Sequence, residues 1–256
     1  MLVTERDGAV LRVTLARPER RNALDSALIG RLAEAFRGAG DARAVVLAGR
    51  GESFCAGADA EWMRAAAELD PDANLADALR LRELLDAVDS CPAPVVARVQ
   101  GHALGGAGGL LACCDAVVAE PGAVFGFSEV KLGIVPAVIS PFVLARIGTG
   151  ATRRYFVTGE RFGADVALRI GLVHEVAADL DAAVERIVGE LLAAGPEAAR
   201  AAKELARRPL PAAETARLIA ERRASAEGRE GLRAFLEKRA ARLPDGTRWG
   251  VYRDRP

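Results

Sequence analysis

The chain has 256 residues, of which 51% are hydrophobic, and its 35 basic side chains balance its 35 acidic ones. This length and composition suit a globular protein with a substantial core. The balanced charge gives no general attraction to nucleic acid or to an anionic membrane, so we predict neither as a partner.

The N-terminal segment and the cysteines bear on the cellular location of the protein and on metal binding. The first residues, MLVTERDGAVLRV, contain no apolar secretory core, and no apolar run is long enough to span a bilayer. We therefore expect a cytoplasmic location. The four cysteines lack paired metal-ligand spacing and are accompanied by only two histidines, which predicts reduced, buried thiols and no metal site.

Short β-branched runs alternate with helical patterns over the first two thirds of the chain, which predicts an α/β fold. The predicted strands are AVLRVTLA, ARAVVLAG, APVVARVQG, DAVVAE and AVFGF. Amphipathic helices are predicted at about residues 25–37 and 74–90, the first with an Asp or Ser cap. After Gly148 the pattern is helical up to Arg242, and residues 243–256 lack any period, which predicts a mobile tail.

The stretch GHALGGAGGLLACCD, residues 101–115, concentrates glycine between a strand and a helix that is predicted to start near Gly106. It has neither the glycine spacing of a dinucleotide fingerprint nor the Gly-Lys-Ser/Thr end of a P-loop. Free amides at the start of such a helix suit a developing negative oxygen, and glycine lets a ligand approach the backbone closely. The same glycines equally suit tight packing of the helix on the sheet, so their spacing leaves both interpretations open.

A second loop, GESFCAGADAEWMR at residues 51–64, again places small residues between a strand and a helix. Because both loops follow parallel strands, their amides are expected to meet at the carboxyl ends of those strands. Two such amides would form an oxyanion hole.

Four motifs, PERRNALD, FCAGADAEWM, GHALGGAGGLLACCD and FGFSEVKLGIVP, together resemble the enoyl-CoA hydratase/isomerase (crotonase) superfamily, from the N-terminus to about residue 240. The resemblance implies a crotonase-like ββα spiral core, which we assign to residues 1–195, and a helical C-terminal trimerisation region over residues 196–242. It also implies a homotrimer or a dimer of trimers, an acyl-CoA thioester substrate, and no cofactor beyond the coenzyme A of the substrate.

The resemblance also assigns roles to individual residues. The backbone amides of Ala58 and Gly106 would hold the thioester oxygen, which Gly105 lets approach. Asp59 equally fits a helix cap. The backbone that would line the CoA portion belongs to Arg20, Ala56, Ala58, Asp59 and Ala60.

Further positions border the expected acyl chain. Trp62 fits both a wall of the acyl pocket and simple core, and residues 139–142 are expected to shape substrate choice. Phe235 and Lys238 resemble positions that reach toward the acyl chain and the CoA phosphates, although a lysine there equally fits a solvated helix face. His174 is predicted to be structural.

The residues available for proton transfer differ from the family pattern. Hydratases of this family commonly use two glutamates; the first position is Gly109 here, and the second is Glu129. We predict that Glu129 carries catalysis, with a pKa raised by partial burial. The alternative is a surface carboxylate paired with Lys131.

One glutamate suffices for the proton shuttle of an enoyl-CoA isomerase. However, ADAEWM, FSEVKLGIVPAVISPFV, TGERF and EGLRAFLEKR resemble the bacterial methylglutaconyl-CoA or γ-carboxygeranoyl-CoA hydratase branch of leucine and acyclic terpene breakdown, whose members also carry a small residue at the first position. We therefore predict an enoyl-CoA hydratase for a branched or carboxylated acyl-CoA. The alternatives are a Δ3,Δ2-enoyl-CoA isomerase and a non-catalytic acyl-CoA-binding or scaffold protein.

Overall fold

The computed structural model describes residues 1–251 and divides at Val184 into two compact units. The strands of the first unit are β1 (Leu2–Asp7), β2 (Val10–Leu15), β3 (Ala44–Gly49), β4 (Val95–Val99), β5 (His102–Leu104), β6 (Ala116–Ala119), β7 (Val124–Gly126), β8 (Arg161–Gly163) and β9 (Glu175–Val176). Its helices are α1 (Ser26–Arg37), α2 (Ala60–Ala67), α3 (Pro71–Asp89), α4 (Gly106–Cys113), α5 (Ser140–Thr158) and α6 (Ala164–Arg169), and α7 (Leu180–Ala193) crosses the division.

Six of the strands form one sheet in the order β1-β2-β3-β4-β6-β9. The β1–β2 pair is antiparallel and the other neighbours are parallel. The central strands are nearly continuous apolar runs because both of their faces are buried. A second sheet has the order β5-β7-β8. All five predicted strands are present, whereas the short β5, β8 and β9 and the polar β1 were not predicted.

Two predicted helices form where the sequence indicates. In α1, Asp25 is the N-cap and its side chain accepts the N–H of Leu28, while the apolar stripe is buried. The other is α3, whose N-cap is Asp70. Each therefore has the capping residue that helix starts require.

Helix α4 is buried along its whole length, from Gly106 to Cys113. A Cβ on Gly108 would lie 2.5 Å from Cε1 of Phe127, so only glycine lets this helix approach the aromatic core. The packing interpretation of the glycine stretch is thus correct at Gly108.

The second unit is helical and ends in a hairpin. After α7 come α8 (Pro196–Arg207), α9 (Ala212–Ala224) and α10 (Ala226–Leu236), then the antiparallel pair β10 (Ala241–Arg242) and β11 (Arg248–Trp249). The carboxylate of Glu227 accepts the N–H groups of Glu197 and Ala198 at the start of α8.

The helical pattern ends earlier than predicted. Lys238 has a φ of 54°, a left-handed conformation that cannot continue a helix, so the region up to Arg242 is not helical throughout. Trp249, in the segment for which we expected a mobile tail, is buried against Ala234 and Ala241. Part of that segment is therefore paired and packed, and residues 252–256 lie outside the described residues.

Within residues 1–251, no helix is both long enough and apolar enough to cross a membrane. The same part of the chain contains no group of three His, Cys, Asp or Glu side chains that could hold a metal ion.

His174 links the sheet to the end of α4. Its Nδ1 accepts the N–H of Val117 at 2.9 Å, and Nη1 of Arg146 lies 2.9 Å from its Nε2. Arg146 also donates to the carbonyl of Ala112 at the end of α4. Burial, and then the Arg146 charge, lower the pKa of His174.

We expect the protein to lose stability as the pH falls through about 6.5, because the unfolded chain then binds a proton on His174 before the folded chain does. His174→Asn keeps an acceptor for the Val117 N–H but cannot be protonated. Urea unfolding measured between about pH 7.5 and 5.5 should therefore show a smaller decrease in the free energy of unfolding for the variant than for the parent. Equal losses would contradict this role of His174.

Candidate active site

A cavity of about 330 Å³ lies within the first unit, beside the starts of α2 and α4. Among the residues that line it are Ala58, Gly106 and Glu129. The other polar lining residues are Asn74 and Asp77, and the rest of the wall is apolar. The three residues for which we predicted catalytic roles therefore share one apolar cavity.

The peptide groups around Ala58 are fixed by Leu24. The N–H of Leu24 donates to the Gly57 carbonyl, and its carbonyl accepts the N–H of Asp59, both at 2.8 Å. Together these bonds form a parallel β-bridge between Leu24 and Ala58. In a parallel bridge the N–H of the middle residue faces away from the partner strand, so the Ala58 N–H is not used by Leu24.

Gly106 offers a second free amide. It is the first residue of α4, so its N–H has no partner within the helix. The turn before it requires glycine, because Gly105 has a φ of 54°. Among residues 1–251, neither the Ala58 nor the Gly106 N–H donates to a backbone acceptor.

The two loops that carry these amides are joined side by side. Cys55 donates to the His102 carbonyl at 2.9 Å and accepts the N–H of Leu104 at 3.1 Å. A Cβ on Gly57 would lie only 2.8 Å from the Leu104 carbonyl oxygen. The predicted meeting of the two glycine loops is therefore present, and the cavity lies where they meet.

Asp59 is the N-cap of α2, as one of the two interpretations of its side chain predicted. Its Oδ1 accepts the N–H groups of Glu61 and Trp62. Burial alone would raise the pKa of Asp59, but these two amides and the nearby Arg17 and Arg20 together lower it.

Arg17 connects two helix caps. Its guanidinium contacts Asp25, the cap of α1, at 2.7 Å and Asp59, the cap of α2, at 3.3 Å, and its side chain is largely buried. It also donates to the Ala23 carbonyl, next to Leu24. Arg17 thereby fixes both segments that hold the Ala58 peptide.

Glu129 lies in a short 3₁₀ turn, Glu129–Leu132, that follows β7. A Cβ on Gly105 would be 3.2 Å from its Oε1, so the carboxyl group lies against the glycine turn beside Gly106. Its Oε2 is buried and has no hydrogen-bond partner within residues 1–251. Burial raises the pKa of Glu129, the direction that the sequence predicted.

Within residues 1–251, Glu129 and Lys131 do not form the ion pair that was the alternative interpretation of Glu129. Lys131 instead lies near Glu160, whose pKa it helps to lower, after the larger effect of the Arg154 hydrogen bond.

The place of the first family glutamate is filled by an apolar side chain. A Cβ on Gly109 would be 2.4 Å from Cγ2 of Ile139 and 3.4 Å from Cδ2 of Leu85. Ile139 is buried and lines the cavity, as expected for a residue that shapes substrate choice. The packing of Ile139 therefore requires glycine at position 109.

The other predicted site residues differ in their positions and contacts. Trp62 lines the cavity, and its Nε1 donates to Asp77 at 3.3 Å, so it walls the pocket. Arg20 is exposed and pairs with Glu61 at 3.3 Å. The N–H of Ala56 donates to the Arg21 carbonyl, and Ala60 is the first residue of α2. Phe235 lies in the last turn of α10 and Lys238 just after it, both in the second unit.

Sequence reasoning missed three residues of this site: Leu24, Arg17 and Asp77. Asp77 had a readable signal, because Leu81 and Leu85 follow it at intervals of four and place it on the buried face of α3. Leu24 and Arg17 act through contacts between distant segments, which no local pattern reveals.

Gly109→Ala should lower the melting temperature, because the new methyl group must displace Ile139. Overpacking costs about 1–3 kcal/mol, more than the roughly 1 kcal/mol by which alanine favours a helix over glycine. The matched control is Gly30→Ala in α1, where a Cβ would meet nothing within 4 Å, and which should be neutral or stabilising. The double variant Gly109→Ala, Ile139→Ala should lose less stability than the sum of the losses in the two single variants. A Gly109→Ala protein as stable as the parent would show that Ile139 does not restrict this position.

The comparisons with known proteins agree with this geometry. Residues 5–245 match the family described as Enoyl-CoA hydratase/isomerase. A protein of Rhodobacter capsulatus named probable enoyl-CoA hydratase is 40% identical over 239 residues, covering 89% of this chain and 91% of that protein.

Two solved structures resemble the fold over nearly all of both chains. An enoyl-CoA hydratase from Shewanella pealeana superposes with a TM-score of 0.90 at 39% identity, covering 94% of this chain and 95% of that one. Pseudomonas aeruginosa AtuE has a TM-score of 0.88 at 38% identity, covering 93% of this chain and 97% of its own. The expected crotonase-like α/β fold is confirmed, and the chain belongs to the enoyl-CoA hydratase/isomerase family.

Proposed function

We propose that the protein is an enoyl-CoA hydratase, which adds water across the α,β double bond of an acyl-CoA thioester. One observation carries the proposal: a buried carboxyl oxygen of Glu129 without a partner in residues 1–251 shares a cavity with two free backbone amides. The hydratase names of relatives over nearly the whole chain support it.

The two amides suit the charge that develops during hydration. When water adds to the β-carbon, the electrons of the double bond move toward the thioester oxygen, which becomes enolate-like. The N–H groups of Ala58 and Gly106, fixed before the reaction, would stabilise that oxygen without reorganising, an effect worth about 3 kcal/mol for each donor lost.

In this mechanism Glu129 carries out both proton transfers. Its carboxylate accepts a proton from water as the oxygen bonds to the β-carbon, and the resulting acid delivers that proton to the α-carbon. The product is a 3-hydroxyacyl-CoA, and the carboxylate is restored. The pKa of Glu129, raised by burial, brings its two protonation states closer in population near neutral pH, which assists a group with both tasks.

For the acyl chain we propose a branched, uncharged group. Ala66, Ala67 and Ala78 line the cavity with small side chains and leave room for a branch. The sequence also left a carboxylated chain of the methylglutaconyl type open. The charged lining residues are Asp77 and Glu129, both acidic, so this wall offers a distal carboxylate repulsion and no cationic partner.

The remaining roles follow the resemblance. We propose that the CoA portion lies along Arg20, Ala56, Asp59 and Ala60, that Phe235 and Lys238 have the substrate-binding roles that the resemblance assigns, and that no separate cofactor takes part. We propose a cytoplasmic homotrimer, alone or paired.

A Δ3,Δ2-enoyl-CoA isomerase is the second candidate, and the packing of Ile139 against Gly109 favours it, because one carboxylate is enough to move a proton between carbons. Incubation with 2-enoyl and 3-enoyl thioesters separates the two reactions, since only hydration adds the mass of water to the product.

Glu129→Gln should reduce hydration by at least about 1000-fold while acyl-CoA binding is retained, because the amide occupies the same space but transfers no proton. Glu52→Gln, at an exposed glutamate, is the matched control and should retain full activity. Turnover of Glu129→Gln within a few-fold of the parent would exclude Glu129 as the catalytic group, and loss of binding would make its role structural.

Arg17→Gln should lower kcat by about tenfold or more with little change in KM, because Arg17 positions the Ala58 amide through Asp25 and Asp59 without touching the substrate. Steady-state kinetics with crotonyl-CoA measure both constants. A rise in KM at unchanged kcat would instead place Arg17 in substrate binding.

A further inference from the structure

Asp77 is a charged residue in a largely apolar cavity wall. It lies in α3, only 7% of its surface is exposed, and it lines the cavity together with Trp62 and Leu81. Burial of a carboxylate costs free energy unless hydrogen bonds compensate for it. The position of Asp77 therefore depends on what its two oxygens bind.

The two oxygens of Asp77 have different surroundings. Oδ1 accepts hydrogen bonds from Trp62 Nε1 at 3.3 Å and from Arg80 Nη1 at 3.2 Å. Oδ2 accepts none from any residue of the described chain 1–251, yet protein atoms do not fully enclose it. Because Asp77 lines the cavity, we take Oδ2 as the acceptor that a molecule in the cavity would meet.

Helix geometry separates Asp77 from the reacting end of the cavity. Asp77, Leu81 and Leu85 lie four residues apart on one face of α3, and Leu85 packs at the level of Gly109. Eight residues of helix span about 12 Å, which is too far for the Asp77 carboxylate to reach the place of the family's first glutamate. We therefore place Asp77 beside the part of the acyl chain beyond the double bond.

The charges around Asp77 limit the group that its free oxygen would bind. A second carboxylate would be repelled, and an aliphatic carbon would leave the acceptor unsatisfied. Arg80 already supplies one positive charge at 3.2 Å and also lies 3.4 Å from Ser26 Oγ, so a further cation is not required. An uncharged hydrogen-bond donor, such as a hydroxyl group, meets these conditions.

We propose that the cavity recognises an enoyl-CoA whose acyl chain carries a hydroxyl group beyond the double bond, with Asp77 Oδ2 as its acceptor. This inference rests on the hydratase function proposed above. It makes Asp77 a specificity-determining residue that takes no part in the proton transfers.

The test compares 2-enoyl-CoA thioesters that end in a methyl, a hydroxyl or a carboxylate group, in several chain lengths because length decides whether the tail reaches Asp77. At the best length, kcat/KM of the wild type should be at least about tenfold higher for the hydroxyl than for the methyl end, and about 100-fold higher than for the carboxylate. Equal values for methyl and hydroxyl at every length, or a preference for the carboxylate, would overturn the inference. Hydration of the methyl series alone would leave the hydratase function standing, whereas no hydration in any series would overturn both.

Two substitutions separate recognition by Asp77 from mere support of Trp62. Asp77→Leu should abolish the preference for the hydroxyl end, and Asp77→Asn, which keeps an acceptor for Trp62, should relieve the rejection of the carboxylate by about tenfold. If Asp77 only held Trp62, each substitution would change kcat/KM for all three substrates by one common factor, contrary to the inference. The matched control is Asp86→Asn, at an exposed aspartate that pairs with Arg82 at 2.9 Å on the same helix; its substrate ratios should equal those of the wild type.

Discussion

The bridge between Leu24 and Ala58 is the interaction on which the rest of this site depends. It uses the Gly57 carbonyl and the Asp59 N–H and leaves the amide between them without a backbone acceptor among the described residues 1–251. Ala58 is half-buried and lines the cavity, so this N–H is held in place by the contacts of its neighbours. Arg17, with its ion pairs to Asp25 and Asp59, supplies such contacts. The fold thereby maintains a donor that is ready for a ligand oxygen.

The glycine stretch of residues 101–115 has different structural roles at different positions. Gly108 admits the ring of Phe127, and Gly105 provides a left-handed turn against which the Glu129 carboxyl lies. The packing interpretation is therefore correct at Gly108, whereas ligand access at Gly105 and Gly106 stays a prediction. The packing glycines allow α4 to be buried, and burial holds the Gly106 amide at the cavity.

Patterns that repeat along the chain predicted much of the fold. The apolar runs of β3 and β4, the Asp25 cap and the start of α4 at Gly106 all depend on local sequence, and all are present. Short β5, β8 and β9 escaped prediction because two or three residues carry too little pattern. The end of the C-terminal helices was misjudged because the left-handed Lys238 has no signature in sequence. The clustering of Ala58, Gly106 and Glu129 was predictable through the family resemblance, whereas the contacts of Leu24 and Arg17 join segments that only folding brings together.

The side chain of Ile139 limits which catalytic groups can lie in the cavity. Because its side chain occupies the space beside Gly109, a second carboxylate could not enter there by a single substitution without displacing it. In the proposed mechanism the acid and base work near the two amides therefore falls to Glu129, because burial raises its pKa and a raised pKa suits a group that both accepts and donates a proton. The packing around α4 thus limits the number of carboxylates that the proposed chemistry can use.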